Sequence, residues 1–417
     1  MSNNKQLPKG WEIKKLGEVC KFVRGPFGGS LKKSIFKESG YAVYEQKHAI
    51  YDRFDNVRYF VDEEKFNEMK RFELNSGDLI MSCSGTIGKI AIVPDGIEKG
   101  IINQALLILS PKNNLNNIFL KLWMQSENFQ DSLNEYSKGA AIKNIASVKV
   151  LKNIDIPLPS IEEQKRIVSI LDRAFEAIDK AKANAEQNLK NAKELFQSKL
   201  QAIFDNGKLK IENGEWEEKK LGEVIQKTET INPKLNPEKE FIYIDVSSVN
   251  KETKLIDETS ILRGQDAPSR ARKVVKTNDV IFATVRPTHQ RVAIISDRFN
   301  NQVCSTGYYV LRAKEIIHHK IIYYYILTFR FNKEMEKLQK GASYPAVTNK
   351  EVETSIIPFP KSIETQKQIV AQLDKLQAET KKLEAIYQQK IEDLEELKKS
   401  IMQKAFNGEL SEKEMSV

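Results

Sequence analysis

The sequence contains few cysteines and no long apolar run, and each shortage excludes a class of protein. Cys20, Cys83 and Cys304 are the three cysteines among 417 residues, and they form no Cys-x-x-Cys pair. This number and spacing argue against a disulfide framework or a zinc site and favour a reducing cytoplasm. The longest apolar run, at 321–327, is far shorter than the roughly 20 residues that a membrane-spanning helix needs. The start has no apolar segment of the kind found in signal peptides, so we predict a cytoplasmic protein without a membrane span.

Catalytic and cofactor motifs are also scarce. Two glycine-containing segments, at 25–34 and 84–90, resemble phosphate loops, but neither has the G-x-x-x-x-G-K-[ST] spacing that surrounds a triphosphate. No G-x-G-x-x-G follows a predicted strand, no N-P-P-[YF] or D-P-P-[YF] motif occurs, and none of the four histidines lies in a metal-binding pattern. We therefore predict a non-catalytic chain with no metal or cofactor of its own. The alternative is an enzyme, a nuclease or a methylase, with an unfamiliar motif.

The two halves of the sequence resemble each other. Four pairs of segments recur in the same order at a nearly constant offset, which indicates a tandem duplication of one module of about 200 residues. The pairs are WEIKKLGEV at 11–19 and WEEKKLGEV at 216–224, GDLIMSCSGTIGKIAIV at 77–93 and NDVIFATVRPTHQRVAII at 278–295, IDIPLPSIEEQKRIVSILD at 154–172 and SIIPFPKSIETQKQIVAQLD at 355–374, and QAIFDNGKL at 201–209 and QKAFNGEL at 403–410.

Each module changes character at its Pro-x-Pro segment. Short β-like runs separated by Gly, Asn, Asp and Pro precede it, and a stretch without Gly or Pro follows, at Ile161–Phe204 and Ile363–Phe406. Both stretches carry apolar residues at 3–4 spacing, which predicts a coiled coil, antiparallel because the chain must return. Two long helices that each pack on their own domain are the alternative. The predicted fold is α+β, with two similar globular domains in tandem, separated by the two helices in a pseudo-two-fold arrangement. The predicted boundaries are 1–158, 159–206, 207–360 and 361–417.

The positive charge lies in the two globular parts. Residues 1–158 carry 23 basic and 18 acidic side chains, and residues 207–360 carry 25 and 20, while the whole chain has a net charge of +9. Two equally basic domains joined by nearly neutral helices suit two contacts with one polyanion. An ordinary solvated surface also accommodates an excess of this size.

Two pairs of matching segments contain the candidate contact residues. In the first pair an apolar strand enters a polar loop and returns, at 82–89 and at 284–291, with similar strands but different loop chemistry. Arg286 and Arg291 have the fork that reads guanine, Gln290 has the amide that pairs with adenine, and hydroxyls beside Lys89 suit phosphates. Ordinary hairpin turns are the alternative.

The second pair is SKGAAIKNI at 137–145 and QKGASYPAV at 339–347, for which a turn at a domain joint is the alternative. The candidates also include basic residues of the segment at 25–34 and of residues 270–272. The candidate DNA-binding residues are Lys32, Lys33, Ser82, Ser84, Thr86, Lys89, Lys138, Lys143, Asn144, Arg270, Arg272, Arg286, Thr288, Gln290, Arg291, Lys340, Ser343 and Tyr344.

These motifs together resemble one family, the specificity subunits of type I restriction–modification systems. The resemblance covers nearly the whole chain and includes WEIKKLGEV with its second copy, GPFGGSLKKS at 25–34, the GDLIMSCSGTIGKIAIV segment, and the two Pro-x-Pro helix openings. Two parts of these motifs do not recur in the second module. GPFGG has no counterpart in the second module, and RPTHQ replaces SGTIG there.

The resemblance implies a function and a set of partners. It implies two target-recognition domains, each reading one half of a split, asymmetric site in double-stranded DNA, and two antiparallel helices between them as a spacer. It also implies a non-catalytic adaptor for two methyltransferase subunits that use S-adenosylmethionine to methylate adenine. Restriction subunits that use ATP and magnesium would join a larger complex. A coiled-coil scaffold that binds proteins without reading DNA is the alternative function.

Overall fold

The computed structural model describes residues 8–137, 148–206 and 215–410. The chain forms two compact units, one made of Met1–Ala185 with Gln389–Val417 and the other of Glu186–Gln388. We call the strands and short helices before each long helix a head. The first head is the described part of residues 8–158, and the second head is residues 216–360.

The first head contains three sheets. A four-stranded antiparallel sheet has the order β2-β8-β5-β6, a second sheet has the order β4-β3-β7 with β3 parallel to β7, and β1 pairs with β9. The strands are β1 (Glu12–Lys15), β2 (Cys20–Arg24), β3 (Tyr41–Tyr44), β4 (Tyr59–Val61), β5 (Leu79–Ser82), β6 (Ile90–Ile92), β7 (Gly100–Ile102), β8 (Leu106–Pro111) and β9 (Asp155–Leu158). The helices are α1 (Leu16–Val19), α2 (Gln46–Tyr51), α3 (Glu63–Glu68), α4 (Asn117–Gln125), α5 (Glu127–Ser137), α6 (Val148–Lys152) and the long α7 (Ile161–Asn206).

The second head repeats this topology with one additional strand. Its sheets have the orders β11-β18-β15-β16 and β13-β12-β17-β14, with β12 parallel to β17, and β10 pairs with β19. The strands are β10 (Trp216–Lys220), β11 (Ile225–Gln226), β12 (Glu240–Ile244), β13 (Ser260–Arg263), β14 (Ala271–Val275), β15 (Val280–Ala283), β16 (Val292–Ile294), β17 (Gln302–Ser305), β18 (Tyr308–Ala313) and β19 (Ile356–Pro360). The helices are α8 (Leu221–Val224), α9 (His319–Ile326), α10 (Phe329–Leu338), α11 (Asn349–Glu353) and the long α12 (Ile363–Phe406). The duplication predicted from sequence is therefore confirmed, and β14 is an addition of the second head.

The central strands are buried on both faces. In β15, Val280 and Phe282 pack with the helices on one side, while Ile281 and Ala283 pack under the other sheet. Alternate residues of a strand point to opposite faces, so a strand covered on both sides reads as a continuous apolar run. β5 of the first head is buried in the same way, and these strands fix the loops that follow them.

The two long helices pair in antiparallel orientation. In the first unit, Lys182 contacts Glu395 at 2.5 Å and Asp179 contacts Lys398 at 2.8 Å, so numbering falls along one helix as it rises along the other. In the second unit, Phe196 and Leu200 of α7 share a core with the first turns of α12. The predicted pairing is confirmed. Each helix also packs on a head, so the alternative packing coexists with the pairing, and α7 ends at Asn206 rather than at Phe204.

A membrane span is absent from the described ranges. No helix there combines the length and the apolar content that crossing a bilayer requires.

Candidate nucleic-acid interface

The first hairpin loop, residues 82–89, joins β5 to β6. Ser82 is fully buried, and its hydroxyl accepts the backbone N–H of Lys89 at 3.0 Å while its carbonyl accepts the N–H of Gly88 at 2.9 Å. Ser82 therefore closes the loop from inside, whereas Thr86 and Lys89 are exposed and Ser84 is half-buried. Gly88 has a φ of +77°, a left-handed conformation that favours glycine.

A turn at 103–106 connects this loop with the glycine-rich segment at 25–34. The N–H of Cys83 donates to the carbonyl of Ala105 at 2.8 Å, and the N–H of Gly25 donates to the carbonyl of Leu106 at 2.9 Å. A Cβ at position 25 would lie 2.0 Å from the carbonyl oxygen of Asn103, so this approach requires glycine. The segment that carries the exposed Lys32 and Lys33 therefore starts beside the first hairpin loop.

The second hairpin loop, residues 284–291, contacts a segment 57 residues further along the chain. The guanidinium of Arg286 lies 5.0 Å from the ring centre of Tyr344, and its Nη2 donates to the carbonyl of Ser343 at 3.3 Å. The backbone N–H of Arg286 donates to the carbonyl of Pro345 at 2.7 Å. Tyr344 is 71% exposed, so two segments predicted separately form one exposed surface.

Lys340 and Arg270 lie at the edges of this surface. The backbone of Lys340 pairs with Ala346 in both directions at 2.9 Å, and its exposed side chain contacts Glu351 at 3.3 Å. Arg270 is exposed, and its carbonyl accepts the N–H of Thr306 at 2.8 Å, next to the Gly307 carbonyl that binds Thr284. Arg270 therefore lies beside the second hairpin loop.

Other candidates contact the protein itself. Gln290 donates from Nε2 to the carbonyl of Ile326 at 3.4 Å, and the guanidinium of Arg291 donates to the carbonyls of Val249 and Ser247. Arg272 is half-buried and donates to Asn232 at 2.5 Å, and Thr288 is half-buried in the turn of the loop. These contacts hold the fold together. Lys138, Lys143 and Asn144 lie outside the described residues.

Lys254 supports the second hairpin loop and was not among the candidates. Its ammonium donates to the carbonyl of Gln290 at 2.7 Å and to that of Lys251 at 2.5 Å. Burial, reinforced by the positive charges of Arg291 and Lys381, lowers the pKa of Lys254 from 10.5 to about 8, and Glu252 opposes this shift. A lysine in a polar turn gives no sequence signal of burial, because the covering atoms come from distant segments.

Two glutamines attach the heads to the long helices. Gln164 is fully buried; its Oε1 accepts the N–H of Asn116, and its Nε2 donates to the carbonyls of Asn114 and Pro159. Gln366 makes the same three bonds, with the N–H of His318 at 2.7 Å and the carbonyls of Ile316 and Pro360 at 3.0 and 2.8 Å. This geometry gives the repeated Glu-x-Gln of the helix openings a physical reason.

The repeated aspartates before β5 and β15 also hold the fold. Asp78 accepts the N–H of Asn75 at 3.0 Å, and Asp279 accepts the N–H of Lys276 at 2.8 Å. Asp279 additionally binds the Arg312 guanidinium at 2.9 and 2.8 Å. A carboxylate that closes a turn explains this recurring residue, and in the second head it also pairs with an arginine.

Comparisons with known proteins identify similar chains. A family model described as the type I restriction modification DNA specificity domain matches residues 8–190 and again 213–393. The chain is 25% identical to the type I restriction enzyme MjaVIII specificity subunit of Methanocaldococcus jannaschii, over 99% of this chain and 95% of that protein. It is 32% identical to the EcoBI specificity subunit of Escherichia coli over 33% of this chain and 29% of that protein.

Two solved structures share the fold. The HsdS subunit from Thermoanaerobacter tengcongensis matches with a TM-score of 0.64 and 21% identity, over 98% of this chain and 99% of that one. A chain from a study of complex assembly and conformational transition in the type I R-M system matches with a TM-score of 0.74 and 20% identity, over 97% and 100%.

Proposed function

The chain belongs to the family of type I restriction modification DNA specificity domains, and we propose that its two heads read the two halves of one split, asymmetric DNA site. It is a DNA sequence specificity subunit. The observation that carries the two-half proposal is the pair of hairpin loops on one topology. The first loop presents Thr86 and Lys89, and the second presents Arg286 beside Tyr344. Equivalent scaffolds with different exposed chemistry suit two different base sequences.

Arg286 is the side chain we assign to base readout in the second head. A guanidinium has five N–H donors in a planar fork, and Arg286 uses one of them on the Ser343 carbonyl. The ring of Tyr344 restricts the orientation of the guanidinium, and the hydrogen bond to the Pro345 carbonyl fixes the backbone of Arg286. A held arginine fork matches the O6 and N7 acceptors of guanine in the major groove. Gln290 and Arg291, which donate into the protein, are assigned to loop support instead.

Partner subunits supply the catalysis in this proposal. We infer two DNA methyltransferase subunits that use S-adenosylmethionine on adenine, and restriction subunits that use ATP and magnesium. This chain would need no cofactor. The exposed start of α7, with Glu162, Lys165 and Arg166 beside Glu163, is the inferred methyltransferase docking surface. The duplication supports two equivalent surfaces and hence two methyltransferases per chain.

The test replaces Arg286 by alanine and maps methylated adenines in DNA exposed to the chain with its methyltransferase. We expect the preference at one base position to relax by about 1–3 kcal/mol, with the other half-site unchanged. Arg298→Ala is the matched control, because Arg298 also stacks on a ring, that of Phe299 at 5.2 Å, but follows the far end of β16.

Four outcomes would contradict the proposal or one of its parts. A uniform loss across sequences assigns Arg286 to a phosphate, and an unchanged motif removes it from the interface. If the wild-type complex itself shows no sequence preference, the chain is a scaffold that does not read DNA. Methylation by the isolated chain with labelled S-adenosylmethionine would indicate the enzyme alternative.

A further inference from the structure

Phe27 is an apolar ring that the first head leaves in solvent. Its side chain is 92% exposed, more than any other large apolar residue of the described chain. Burying a phenylalanine side chain stabilises a folded protein by about 1.5–3 kcal/mol. The exposed ring of Phe27 does not provide this stabilisation. Its backbone, with φ −61° and ψ 143°, is unstrained.

The segment around Phe27 is anchored on both sides of the ring. Before it, Gly25 donates to the Leu106 carbonyl at 2.9 Å and Pro26 is buried. After it, the N–H of Ser30 donates to the Phe27 carbonyl at 2.8 Å, and Leu31 is buried in the core under β3. The exposed ring therefore stands on a short turn that is fixed at both ends.

The segment that carries the ring also carries exposed lysines and adjoins the first hairpin loop. Lys32 and Lys33 follow within the same segment and are exposed. The turn at 103–106 accepts hydrogen bonds from both Gly25 and Cys83, so the segment at 25–34 and the first hairpin loop begin next to each other. A partner that binds this segment must present an apolar face to the ring and negative charge to the two lysine ammonium groups. Stacked bases between phosphates meet both requirements.

We propose that Phe27 inserts at a base step of the half-site read by the first head, while Lys32 and Lys33 bind flanking phosphates. This inference rests on the proposed function. Apolar wedges of this kind partly unstack a step and bend the duplex, which adds a sequence preference through the cost of deformation. The second head lacks an aromatic ring at this place, since GPFGG has no counterpart there and residues 226–239 contain no aromatic residue.

The experiment uses the full chain with its methyltransferase and duplexes that carry the mapped methylation site. 2-Aminopurine, whose fluorescence rises when it unstacks, replaces one base at a time through the site. We expect the wild-type complex to raise the fluorescence at one step, in the half-site that Arg286→Ala leaves unchanged. Phe27→Ala should remove this signal and weaken binding on the order of ten-fold, and Phe27→Trp should keep both.

The controls separate the ring from its surroundings. Ile261→Ala removes another exposed apolar side chain, 71% exposed on β13 of the second head, and should change neither signal. Lys32→Ala with Lys33→Ala should lower the salt dependence of binding, by roughly one unit of slope for each phosphate that is no longer neutralised. Phe27→Ala should leave that slope unchanged.

Specific outcomes overturn the inference. Unchanged fluorescence and affinity in Phe27→Ala would remove the ring from the interface. Loss of methyltransferase from the Phe27→Ala complex, detected by its mass, would assign the ring to a protein contact. Absence of any sequence preference in the wild-type complex contradicts the proposed function itself, whereas a preference that Phe27→Ala retains in full contradicts only this inference.

Discussion

Single side chains of the two hairpin loops either support the loop or are presented by it. Ser82 and Arg291 support the loop, because Ser82 is buried, Arg291 is half-buried, and the polar atoms of both bind backbone groups of the head. Thr86 and Arg286 are presented, because each is exposed on a loop whose ends are fixed. Residue type does not separate the two roles, since both Arg286 and Arg291 are arginines of the same loop. The direction of the side chain separates them.

Lys254 gives the prediction at this scale. Below about pH 8 its ammonium is charged in the folded and unfolded states, so the full cost of its burial is present. As the pH rises from about 8 towards 10.5, the folded state loses the proton first and the unfolded state binds more protons, so this group makes folding more favourable. We therefore expect the free energy of unfolding of the wild type to rise relative to that of Lys254→Met across this window, by about 1–2 kcal/mol after allowing for partial exposure. Thermal melting of both proteins at a series of pH values measures this difference.

Lys251→Met is the control for this titration, because Lys251 is exposed in the same turn. It should follow the wild-type pH profile. Parallel profiles for the wild type and Lys254→Met would show that the burial of Lys254 does not shift its protonation.

At the scale of elements, a buried glutamine joins each head to its long helix, in addition to the apolar packing between them. Gln164 and Gln366 satisfy three backbone groups each, at the point where the head chain turns into the helix. The sequence predicted these helices and their starts from Pro-x-Pro and apolar spacing. It did not show why the glutamine recurs, because two of its three partners lie about 50 residues earlier in each module.

Replacing Gln366 by leucine should destabilise the chain by about 2–4 kcal/mol, because an N–H and two carbonyls would stay buried without partners. Denaturant unfolding of the full chain measures this loss, and Gln164→Leu should show a similar loss. Gln187→Leu is the control, since Gln187 is exposed on α7 and bonds only to Asn191 among described side chains. It should change stability by no more than about 0.5 kcal/mol. Equal midpoints for Gln366→Leu and the wild type would contradict the role of this contact.

At the scale of the whole molecule, both long helices pass from one compact unit into the other. The units divide α7 after Ala185 and α12 after Gln388. The same head topology occurs once in each unit, so the repeated sequence is also a repeated structure. In the proposed function, helix length then sets the gap between the half-sites, and the head loops set the bases.

Insertion of seven residues after Ala185, matched by seven after Gln388, tests helix length. One heptad in each helix keeps the apolar seams in phase and adds about 10 Å. We expect the half-sites to move apart by up to about three base pairs, as mapped by methylated adenines. Insertion of two residues at both places is the comparison. It should lower the melting temperature, because apolar seam positions turn to solvent. If the heptad variant reads both half-sites across the original gap, the helices do not set the spacing.

The sequence by itself determined the duplication, the α+β character, the two antiparallel helices and the segments that contain the candidate loops. These follow from periodicity, turn residues and repeats, which are properties of neighbouring positions along the chain. Only the tertiary structure decided that Arg286 meets Tyr344, that Gln290 and Arg291 face inwards, and that Lys254 is buried. Each of these depends on contacts between segments tens of residues apart. A linear pattern does not encode which of two exposed-looking side chains a distant segment covers.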